Sequence, residues 1–589
     1  MTAPNRGTLW ARALAEELAR HGLRHVAVGS GSRSAPLVEA FTRDGRFEVH
    51  PHVDERSAAF FALGIGAATG RPAGVVTTSG TAAANLFPAV VEASQSDVPL
   101  LLLTADRPAR LRGFDANQTI DQPGLYGGYP RAAFDLPVAT GRAGDLALLR
   151  AACARAWAWM LAPPSGPVHL NLQFDKPLEP TPVEGDVEEG VGSTPVLGGA
   201  REDDRPRTGV WMPAAVSDAA LVALAKRVAA ADRPLVVCGP THDPARGPAA
   251  VALARALAAP LLADPLSGGR FARGAPGTTI ARAEALLGRE DARRTLAPDL
   301  VIRLGPAPTS AAVDRYLADH AGVPHIVIDR GRRWKDHRGL ASEYVLADPS
   351  AAAAGLADRL PEDGADPAWR AGWLELEEAA VAALTPFLEG EWFEGAVAAQ
   401  VAGAVETGGT LFLGNSMPIR DVDAFAGARD EPVRTVGFRG ASGIDGNVSG
   451  ALGAALALGA PATALIGDLT LLHDVGALLV GCRLEVPFRL VVIQNRGGGI
   501  FHMLPIREYD PPFTRHIVMP QDVELSAVAA AARIPHRLTA TLEDLRVELT
   551  EDDRPPGVRL VEVPVDRHEN WKLRRAALAA AAEAVAARI

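Results

Sequence analysis

The chain has 589 residues and a formal net charge of -11, a length that accommodates three or four domains of about 150 residues each. With 48% hydrophobic and 22% charged residues, the composition is that of a globular protein, not a disordered one. The acidic balance argues against nucleic acid and against an anionic membrane as partners, because both require a basic face.

The first residues lack a basic start followed by an apolar signal core, and no long uninterrupted apolar run follows anywhere in the chain. Cys153, Cys238 and Cys482 have no Cys-X-X-Cys spacing, so neither a zinc site nor a disulfide framework is indicated. We therefore expect a cytoplasmic protein without membrane insertion.

Three stretches of the chain alternate apolar strands with Ala- and Leu-rich helices, the pattern of doubly wound parallel α/β sheets. The first domain is predicted at 1–180, a linker rich in Pro, Gly and acidic residues at 181–212, a middle domain at 213–360 and a third domain at 370–589, after a break around 361–367. Strands are predicted at 26–28, 75–77, 100–104 and 168–172, then at 235–238, 300–304 and 325–328, and finally at 410–413, 464–466, 490–493 and 558–563. An Ala-rich amphipathic helix is predicted after Trp571, and the first and third domains are expected to share one architecture.

Glu55 begins a predicted helix of small residues (57–66) that is suited to close packing against another domain. A glutamate at a helix start is most often a favourable charge for the helix dipole. The residue alone therefore does not decide between a structural and a chemical role.

Asp468 and Asn495 each follow a predicted buried strand, and Gly497, Gly498 and Gly499 come directly after Asn495. In a parallel sheet both side chains would lie at the carboxyl edge, where open α/β sheets bind ligands. A carboxylate and an amide oxygen are ligands that Mg²⁺ accepts together with phosphate oxygens. Glycines allow the backbone to approach an anion closely. The alternative is a pair of ordinary strand-end turns, since Asp, Asn and Gly are turn residues.

This spacing resembles the thiamine-diphosphate signature, in which Gly-Asp-Gly is followed by a downstream Asn, except that Leu469 replaces the second Gly. The resemblance implies a split site, with Asp468, Asn495 and Gly497 binding Mg²⁺ (or Mn²⁺) and Glu55 hydrogen-bonded to the aminopyrimidine ring of the cofactor. The backbone of Leu469 can still contribute to the cofactor site even if its side chain points away from that site.

Further strings make the resemblance more specific: 29–37 (GSGSRSAPL), 104–108 (TADRP), Asn117-Gln118, 415–421 (NSMPIRD) and 439–446 (RGASGIDG). They resemble the thiamine-diphosphate-dependent synthases of menaquinone biosynthesis that make 2-succinyl-5-enolpyruvyl-6-hydroxy-3-cyclohexene-1-carboxylate. The resemblance covers the first and third domains. It implies decarboxylation of 2-oxoglutarate and 1,4-addition of the succinyl carbanion equivalent to isochorismate. It also implies a homodimer or homotetramer, with each active site between the first (PYR) domain of one subunit and the third (PP) domain of another.

Both substrates are dicarboxylates, and guanidinium groups bind carboxylates in bidentate fashion. By resemblance, Ser416 and Arg420 hold the distal carboxylate of 2-oxoglutarate, with Arg439 nearby. The residues expected to face isochorismate are Ser32, Arg33, Arg107, Asn117 and Gln118, with Gln118 and Arg33 also assigned to catalysis. The alternative for each arginine is a surface ion pair.

Apolar and backbone groups complete the expected cofactor site. Ile444 matches the residue that props the cofactor in a bent conformation, and Ile500 and Phe501 would line the pocket, with Leu504 a weaker candidate. Core packing is the alternative for these side chains. Gly467 completes the cofactor-binding set.

One departure concerns the middle domain. The string 303–312 (RLGPAPTSAA) resembles a segment in which many relatives carry a lysine that reaches the second substrate, whereas this chain has alanines. Either Arg303 or another base compensates, or the contact is absent.

Three other functions remain as alternatives. A simpler thiamine-dependent 2-oxo acid decarboxylase or acetolactate-type synthase is disfavoured, because neutral acceptors need no arginine-bearing strings. A scaffold without turnover is disfavoured by the joint presence of Glu55, Asp468 and Asn495. A dehydrogenase is disfavoured because no strand is followed by Gly-X-Gly-X-X-Gly with a downstream acidic residue.

Overall fold

The structure is a computed structural model that describes residues 3–193, 199–201, 203–210, 216–331, 333–361, 366–481, 483–551 and 555–589. Parts of the expected linker and of the expected break at 361–367 lie outside the described residues, as does Cys482. Among the described residues, no helix combines the length and apolarity that crossing a membrane requires.

The described residues form three sheets, in which every named strand pair is parallel. The first sheet has the strands β1 (His25–Gly29), β2 (Glu48–His52), β3 (Ala73–Thr77), β4 (Leu100–Asp106), β5 (Ala132–Leu136) and β6 (Pro167–Gln173). The second has β7 (Pro234–Cys238), β8 (Leu261–Ala263), β9 (Leu300–Leu304), β10 (His325–Asp329) and β11 (Glu343–Leu346). The third has β12 (Thr410–Leu413), β13 (Arg434–Val436), β14 (Ala462–Gly467), β15 (Pro487–Gln494), β16 (His536–Leu538) and β17 (Gly557–Pro564).

Helices connect most of the consecutive strands. Up to the end of the first sheet they are α1 (Arg6–His21), α2 (Ala35–Arg43), α3 (Glu55–Thr69), α4 (Thr81–Ala84), α5 (Phe87–Ser96) and α6 (Ala143–Leu161). Around the second sheet they are α7 (Asp218–Val228), α8 (Arg246–Ala256), α9 (Ala283–Leu286), α10 (Glu290–Thr295), α11 (Ala311–Asp319) and α12 (Pro349–Ala357). The remainder are α13 (Pro367–Gly390), α14 (Glu394–Ala404), α15 (Met417–Phe425), α16 (Asn447–Leu458), α17 (Asp468–His473), α18 (Leu478–Gly481), α19 (Leu525–Ala531), α20 (Leu542–Thr550) and α21 (Arg567–Ala586).

Two compact units divide the chain. The first consists of Met1–Pro213, Phe438–Ala457 and Asp474–Val480, and contains the first sheet. The second consists of Ala214–Gly437, Leu458–His473 and Gly481–Ile589, and contains the other two sheets. Each unit has its own apolar core. The predicted fold class of three doubly wound parallel α/β sheets is therefore confirmed.

The first and third sheets have the same strand order. It is β2-β1-β3-β4-β6-β5 in the first and β13-β12-β14-β15-β17-β16 in the third, so the expectation of one shared architecture agrees with the topology. The strand order reverses between β1 and β3 in the first sheet and between β12 and β14 in the third. This reversal creates a topological switch point at the carboxyl ends of those strands. Ligand sites are expected at both switch points.

Helix α3 packs closely on α16 within the first unit, and glycines of both helices lie at the contact. Asp54 caps α3 by accepting the backbone N–H groups of Arg56 and Ser57. A side chain at Gly64 would meet the Gly450 carbonyl oxygen at 2.0 Å, and one at Gly453 would meet the Phe61 carbonyl oxygen at 2.1 Å. Only glycine permits this approach of the two backbones.

Candidate active site

The polar cluster at the carboxyl edge of the third sheet is formed by Asp468, Asn495 and Gly497. Asp468 follows β14 at the switch point, and Asn495 follows the adjacent strand β15. Both side chains are buried. The Asp468 carboxylate accepts the Gly497 N–H at 3.0 Å and the Leu469 N–H at 2.6 Å. The structure therefore brings Asp468 and the glycine loop into direct contact at this edge.

The glycine loop has a backbone that other residues do not adopt readily. Gly497 has φ +133°, and a side chain there would lie 2.5 Å from the Val518 carbonyl oxygen. The same carbonyl accepts the Gly498 N–H at 2.7 Å. The loop is therefore held against the segment Phe513–Val518, which is a π-helix, a form that is frequent at functional sites.

Asn495 is oriented by Glu394, the first residue of α14, which sequence reasoning missed. The Asn495 side-chain nitrogen donates to a Glu394 carboxylate oxygen at 2.8 Å. Among the described residues, no partner is found for the buried Asn495 Oδ1 or for Glu394 Oε2. Burial and the nearby Asp421 carboxylate raise the pKa of Glu394. Nothing in the sequence around Glu394 signals this role, because its partner lies a domain's length away.

The free oxygen of Asn495 and the buried carboxylate of Asp468 fit a divalent cation. Burial raises the pKa of Asp468 to about 6, against the lowering effect of its backbone hydrogen bonds. No ion pair to Asp468 occurs within the described part of the chain. A buried carboxylate without an ion-pair partner is costly, and a bound cation would reduce that cost.

Ser416 and Arg420 lie at the other side of the same switch point, after β12. Ser416 has φ +73°, which is strained for a residue other than glycine and is a feature that clusters at functional sites. Arg420, in α15, donates to the Ser416 carbonyl oxygen at 2.6 Å. Both residues are half-buried. The predicted pair is therefore in contact, with the Arg420 guanidinium anchored to this turn.

The remaining predicted cofactor residues of this edge flank the cluster. Gly467, Leu469, Ile500 and Phe501 are all half-buried, whereas Leu504 is exposed. Space is open around Gly467. Partly exposed apolar side chains beside a buried polar cluster are typical of a ligand-binding wall.

Glu55 lies at the carboxyl edge of the first sheet, at the start of α3 after β2. It is half-buried, and its side chain lies against the backbone of Gly29 at the end of β1, where an added Cβ would meet Glu55 Cγ at 2.9 Å. Within the described ranges, the Glu55 carboxylate has no hydrogen-bond or ion-pair partner. It is thus available to a ligand.

Ser79, another residue that the sequence did not signal, joins two of the predicted substrate residues. It follows β3, and its hydroxyl accepts a hydrogen bond from Arg107 and donates to the Gln118 carbonyl oxygen at 3.0 Å. The Gln118 side-chain nitrogen donates to the Ser79 carbonyl oxygen at 2.9 Å. Arg107 and Gln118 are therefore brought together at the end of β3 and β4.

Arg33 and Arg107 form a cationic pair at this edge. Arg33 donates to the Phe174 carbonyl oxygen at 2.8 Å, and no described residue partners its buried Nε. Burial and the adjacent Arg107 guanidinium lower the pKa of Arg33. Two neighbouring guanidinium groups favour an anionic ligand. Ser32 and Asn117, also predicted here, are exposed on the flanking loops.

The string that contains Arg439 and Ile444 is held in the first unit by Glu92. This buried carboxylate accepts the Gly440 N–H at 2.8 Å and the Ala441 N–H at 2.7 Å. Arg439 and Ile444 are half-buried on either side of that anchor. Glu92 was not predicted, because it lies on α5, far from the string in sequence.

Arg303 does not supply the missing lysine of the middle domain. It lies in β9, is 1% exposed, and forms an ion pair with Asp336 at 3.1 Å. It is therefore a core residue of the second sheet.

Three parallel sheets, with polar clusters at the switch points of the first and third, define the class of thiamine-diphosphate-dependent enzyme folds. Residues 10–125 match the family model described as "Thiamine pyrophosphate enzyme, N-terminal TPP binding domain". The X-ray structure of a Mycobacterium smegmatis enzyme described as thiamin diphosphate-dependent has the same fold, with a TM-score of 0.66 and 19% identity over 93% of this chain and 98% of that one.

Three relatives that match over most of their length carry the name 2-succinyl-5-enolpyruvyl-6-hydroxy-3-cyclohexene-1-carboxylate synthase. The Halobacterium salinarum protein is 43% identical over 98% of both chains, the Roseiflexus castenholzii protein 42% identical over 89% of this chain and 90% of its own, and the Geobacillus kaustophilus protein 38% identical over 96% of both. The chain belongs to this synthase family.

Proposed function

We propose that this enzyme decarboxylates 2-oxoglutarate and adds the resulting succinyl carbanion equivalent in a 1,4 sense to isochorismate, giving 2-succinyl-5-enolpyruvyl-6-hydroxy-3-cyclohexene-1-carboxylate for menaquinone biosynthesis. The single observation that carries the proposal is the Asp468–Asn495–Gly497 cluster at the switch point, in a chain 43% identical over 98% of its length to a synthase of that name.

Thiamine diphosphate, when bound, supplies the carbanion chemistry that releases CO₂ from a 2-oxo acid and transfers the remaining acyl group. Asp468, the Asn495 oxygen and Gly497 would hold Mg²⁺ (or Mn²⁺), and the glycine loop would accommodate the diphosphate. The Glu55 carboxylate would hydrogen-bond the aminopyrimidine ring and exchange a proton with it. Gly467, Leu469, Ile444, Ile500 and Phe501 would contact the rest of the cofactor.

Two sets of polar residues recognise the two substrates. Ser416 and Arg420, with Arg439, bind the distal carboxylate of 2-oxoglutarate. The remaining set binds isochorismate and consists of Ser32, Arg33, Arg107, Asn117 and Gln118. Arg33 orients the acceptor, and Gln118 handles its proton or orients it. The contact of Gln118 with Ser79 supports this placement, because it fixes the side chain at the sheet edge.

The proposed assembly is a homodimer or homotetramer in the cytoplasm, with each active site between two subunits. The proposed domains are 1–180 (PYR), 213–360 (middle) and 370–589 (PP), joined by a linker at 181–212.

Mixing the Glu55→Gln and Asp468→Ala variants tests whether each active site is shared by two subunits. A mixed dimer regains one intact site only if each subunit contributes a different half of it. Turnover that remains at the level of the separate variants would contradict it.

The experiment that tests the reaction measures CO₂ release by the purified protein with thiamine diphosphate, Mg²⁺ and one 2-oxo acid at a time. We expect 2-oxoglutarate to be used in an isochorismate-dependent manner and pyruvate not to be used. The competing acetolactate-type function predicts the reverse preference, because it needs no second carboxylate contact. Preference for pyruvate would overturn the proposal.

A further inference from the structure

A cluster of three metal-ligand side chains lies on the first sheet, on strands β1 and β2. His25 of β1 is the register partner of Glu48 of β2, and His50 lies two residues further along β2. Side chains alternate between faces along a strand, so Glu48 and His50 share a face. Paired residues of neighbouring strands also share a face. The register therefore places all three side chains together.

The distances within the cluster match those between ligands of one metal ion. His25 Nδ1 and His50 Nε2 are 3.4 Å apart, and His25 Nδ1 and a Glu48 oxygen are 3.6 Å apart. Ligand atoms at about 2.0–2.1 Å from a tetrahedral Zn²⁺ lie roughly 3.3 Å from one another. All three ligand atoms fall within 4.8 Å of one another.

His25 and His50 are half-buried, so packing restricts both imidazole rings. Phe61 of α3 packs on the His50 ring, with centroids 5.1 Å apart. The two imidazole rings are stacked at 24°, so one ring must turn to direct both nitrogens at one ion. Glu48, with 66% of its side chain exposed, has room to complete the site.

We propose that His25, Glu48 and His50 bind a divalent transition-metal ion of the Zn²⁺ type, with water in the fourth position. Two nitrogen ligands select such ions over Mg²⁺ and Ca²⁺. The site is thereby distinct from the oxygen-rich cluster at Asp468. The ion would cross-link edge strand β2 to β1, and so stabilise the strand that leads into α3.

Calorimetric titration of the chelator-treated full chain with Zn²⁺, in a large excess of Mg²⁺, tests the proposal. We expect one tight Zn²⁺ site in the wild type. Zn²⁺ binding should weaken at least tenfold in each of the variants Glu48→Gln, His25→Gln and His50→Gln. Even the loss of a residue that only hydrogen-bonds a metal ligand costs about 10- to 100-fold in affinity. Glu48 is exposed, so its variant keeps the fold even if a histidine variant does not.

The matched control is His536→Gln. His536 also pairs with a glutamate, Glu562, at 2.8 Å. Among the described residues, however, this pair is not part of a group of three possible metal ligands. This variant should bind Zn²⁺ as the wild type does. Co²⁺ should give the absorption bands of a tetrahedral site in the wild type and not in Glu48→Gln. Unchanged Zn²⁺ affinity in Glu48→Gln, or no Zn²⁺ binding by the wild type, would overturn the proposal.

Discussion

The Asn495 side-chain nitrogen donates to the Glu394 carboxylate at 2.8 Å, and this bond turns Asn495 Oδ1 away from Glu394. Both side chains are buried, so neither exchanges its partner for water. The orientation of an amide follows from its hydrogen bonds. Glu394 therefore determines which Asn495 atom faces the proposed metal site.

Replacing Glu394 with leucine should weaken Mg²⁺ binding by about 10- to 100-fold, the usual loss when the partner of a metal ligand is removed. Glu394→Gln should retain most of the affinity, because its side-chain oxygen still accepts the Asn495 N–H. Calorimetric titration of Mg²⁺ with thiamine diphosphate present compares the two. Equal losses in both variants would contradict this role, because Gln still accepts the Asn495 N–H and Leu does not.

Asp468→Ala should abolish Mg²⁺-dependent binding of thiamine diphosphate, because it removes the carboxylate from the proposed metal site. A ligand at 100 times its dissociation constant stabilises the folded state by about 2.7 kcal/mol. The variant should therefore lose the rise in melting temperature that cofactor and Mg²⁺ give the wild type. Unchanged stabilisation would remove Asp468 from the ligand set.

Glu55→Gln should lower kcat by about 10²- to 10⁴-fold, the typical effect of losing a positioned acid-base group. Cofactor affinity should change little, since the diphosphate and metal contacts lie on the third sheet. Glu184→Gln, which alters an exposed acid to which no role is assigned, is the control. Near-wild-type turnover by Glu55→Gln with the cofactor bound would refute the assignment.

The sequence predicted the central strands of all three sheets and missed the edges. In the described part of the chain, the strands without a prediction are β2, β5, β8, β11, β13 and β16, and they are the two outer strands of each sheet. A central parallel strand is buried on both faces and shows as an apolar run. Edge strands here are short or half exposed, as in Glu48–His52, so they carry no such run.

The candidate site was predictable where a strand end carries the residue. Asp468, Asn495 and Arg107 directly follow buried strands. The residues that hold them in place were not predictable: Glu394, Ser79 and Glu92 act through contacts with distant segments. A single sequence contains no signal for which distant segment a buried polar side chain meets.

Acid should destabilise the wild type more than His169→Gln between pH 6.5 and 4. Burial lowers the pKa of His169 from 6.5 to about 4, so in this range the unfolded chain takes up a proton that the folded chain does not. Stability then falls as the pH falls, by at most about 3 kcal/mol at 1.36 kcal/mol per pH unit. Melting temperatures across this range measure the slope, with the exposed His516→Gln as control. Equal slopes in wild type and His169→Gln would contradict the prediction.

The two arginine groups should affect different substrates. Arg420→Ala should raise the KM for 2-oxoglutarate roughly ten- to hundredfold, because a charge-assisted hydrogen bond is worth about 1.5 to 3 kcal/mol. Arg33→Ala should instead raise the KM for isochorismate. Arg110→Ala, which removes an exposed ion pair with Asp175, should change neither constant. If Arg33→Ala raises the KM for 2-oxoglutarate as much as Arg420→Ala does, the division of the pocket is wrong.

The most direct test of the proposed reaction is mass spectrometry of the product made from uniformly ¹³C-labelled 2-oxoglutarate and unlabelled isochorismate. The purified protein, with thiamine diphosphate and Mg²⁺, should release one labelled carbon as CO₂ and transfer the remaining labelled carbons to the isochorismate ring system. The mass should be that of 2-succinyl-5-enolpyruvyl-6-hydroxy-3-cyclohexene-1-carboxylate. Labelled CO₂ with no label in any isochorismate-derived product would contradict the account.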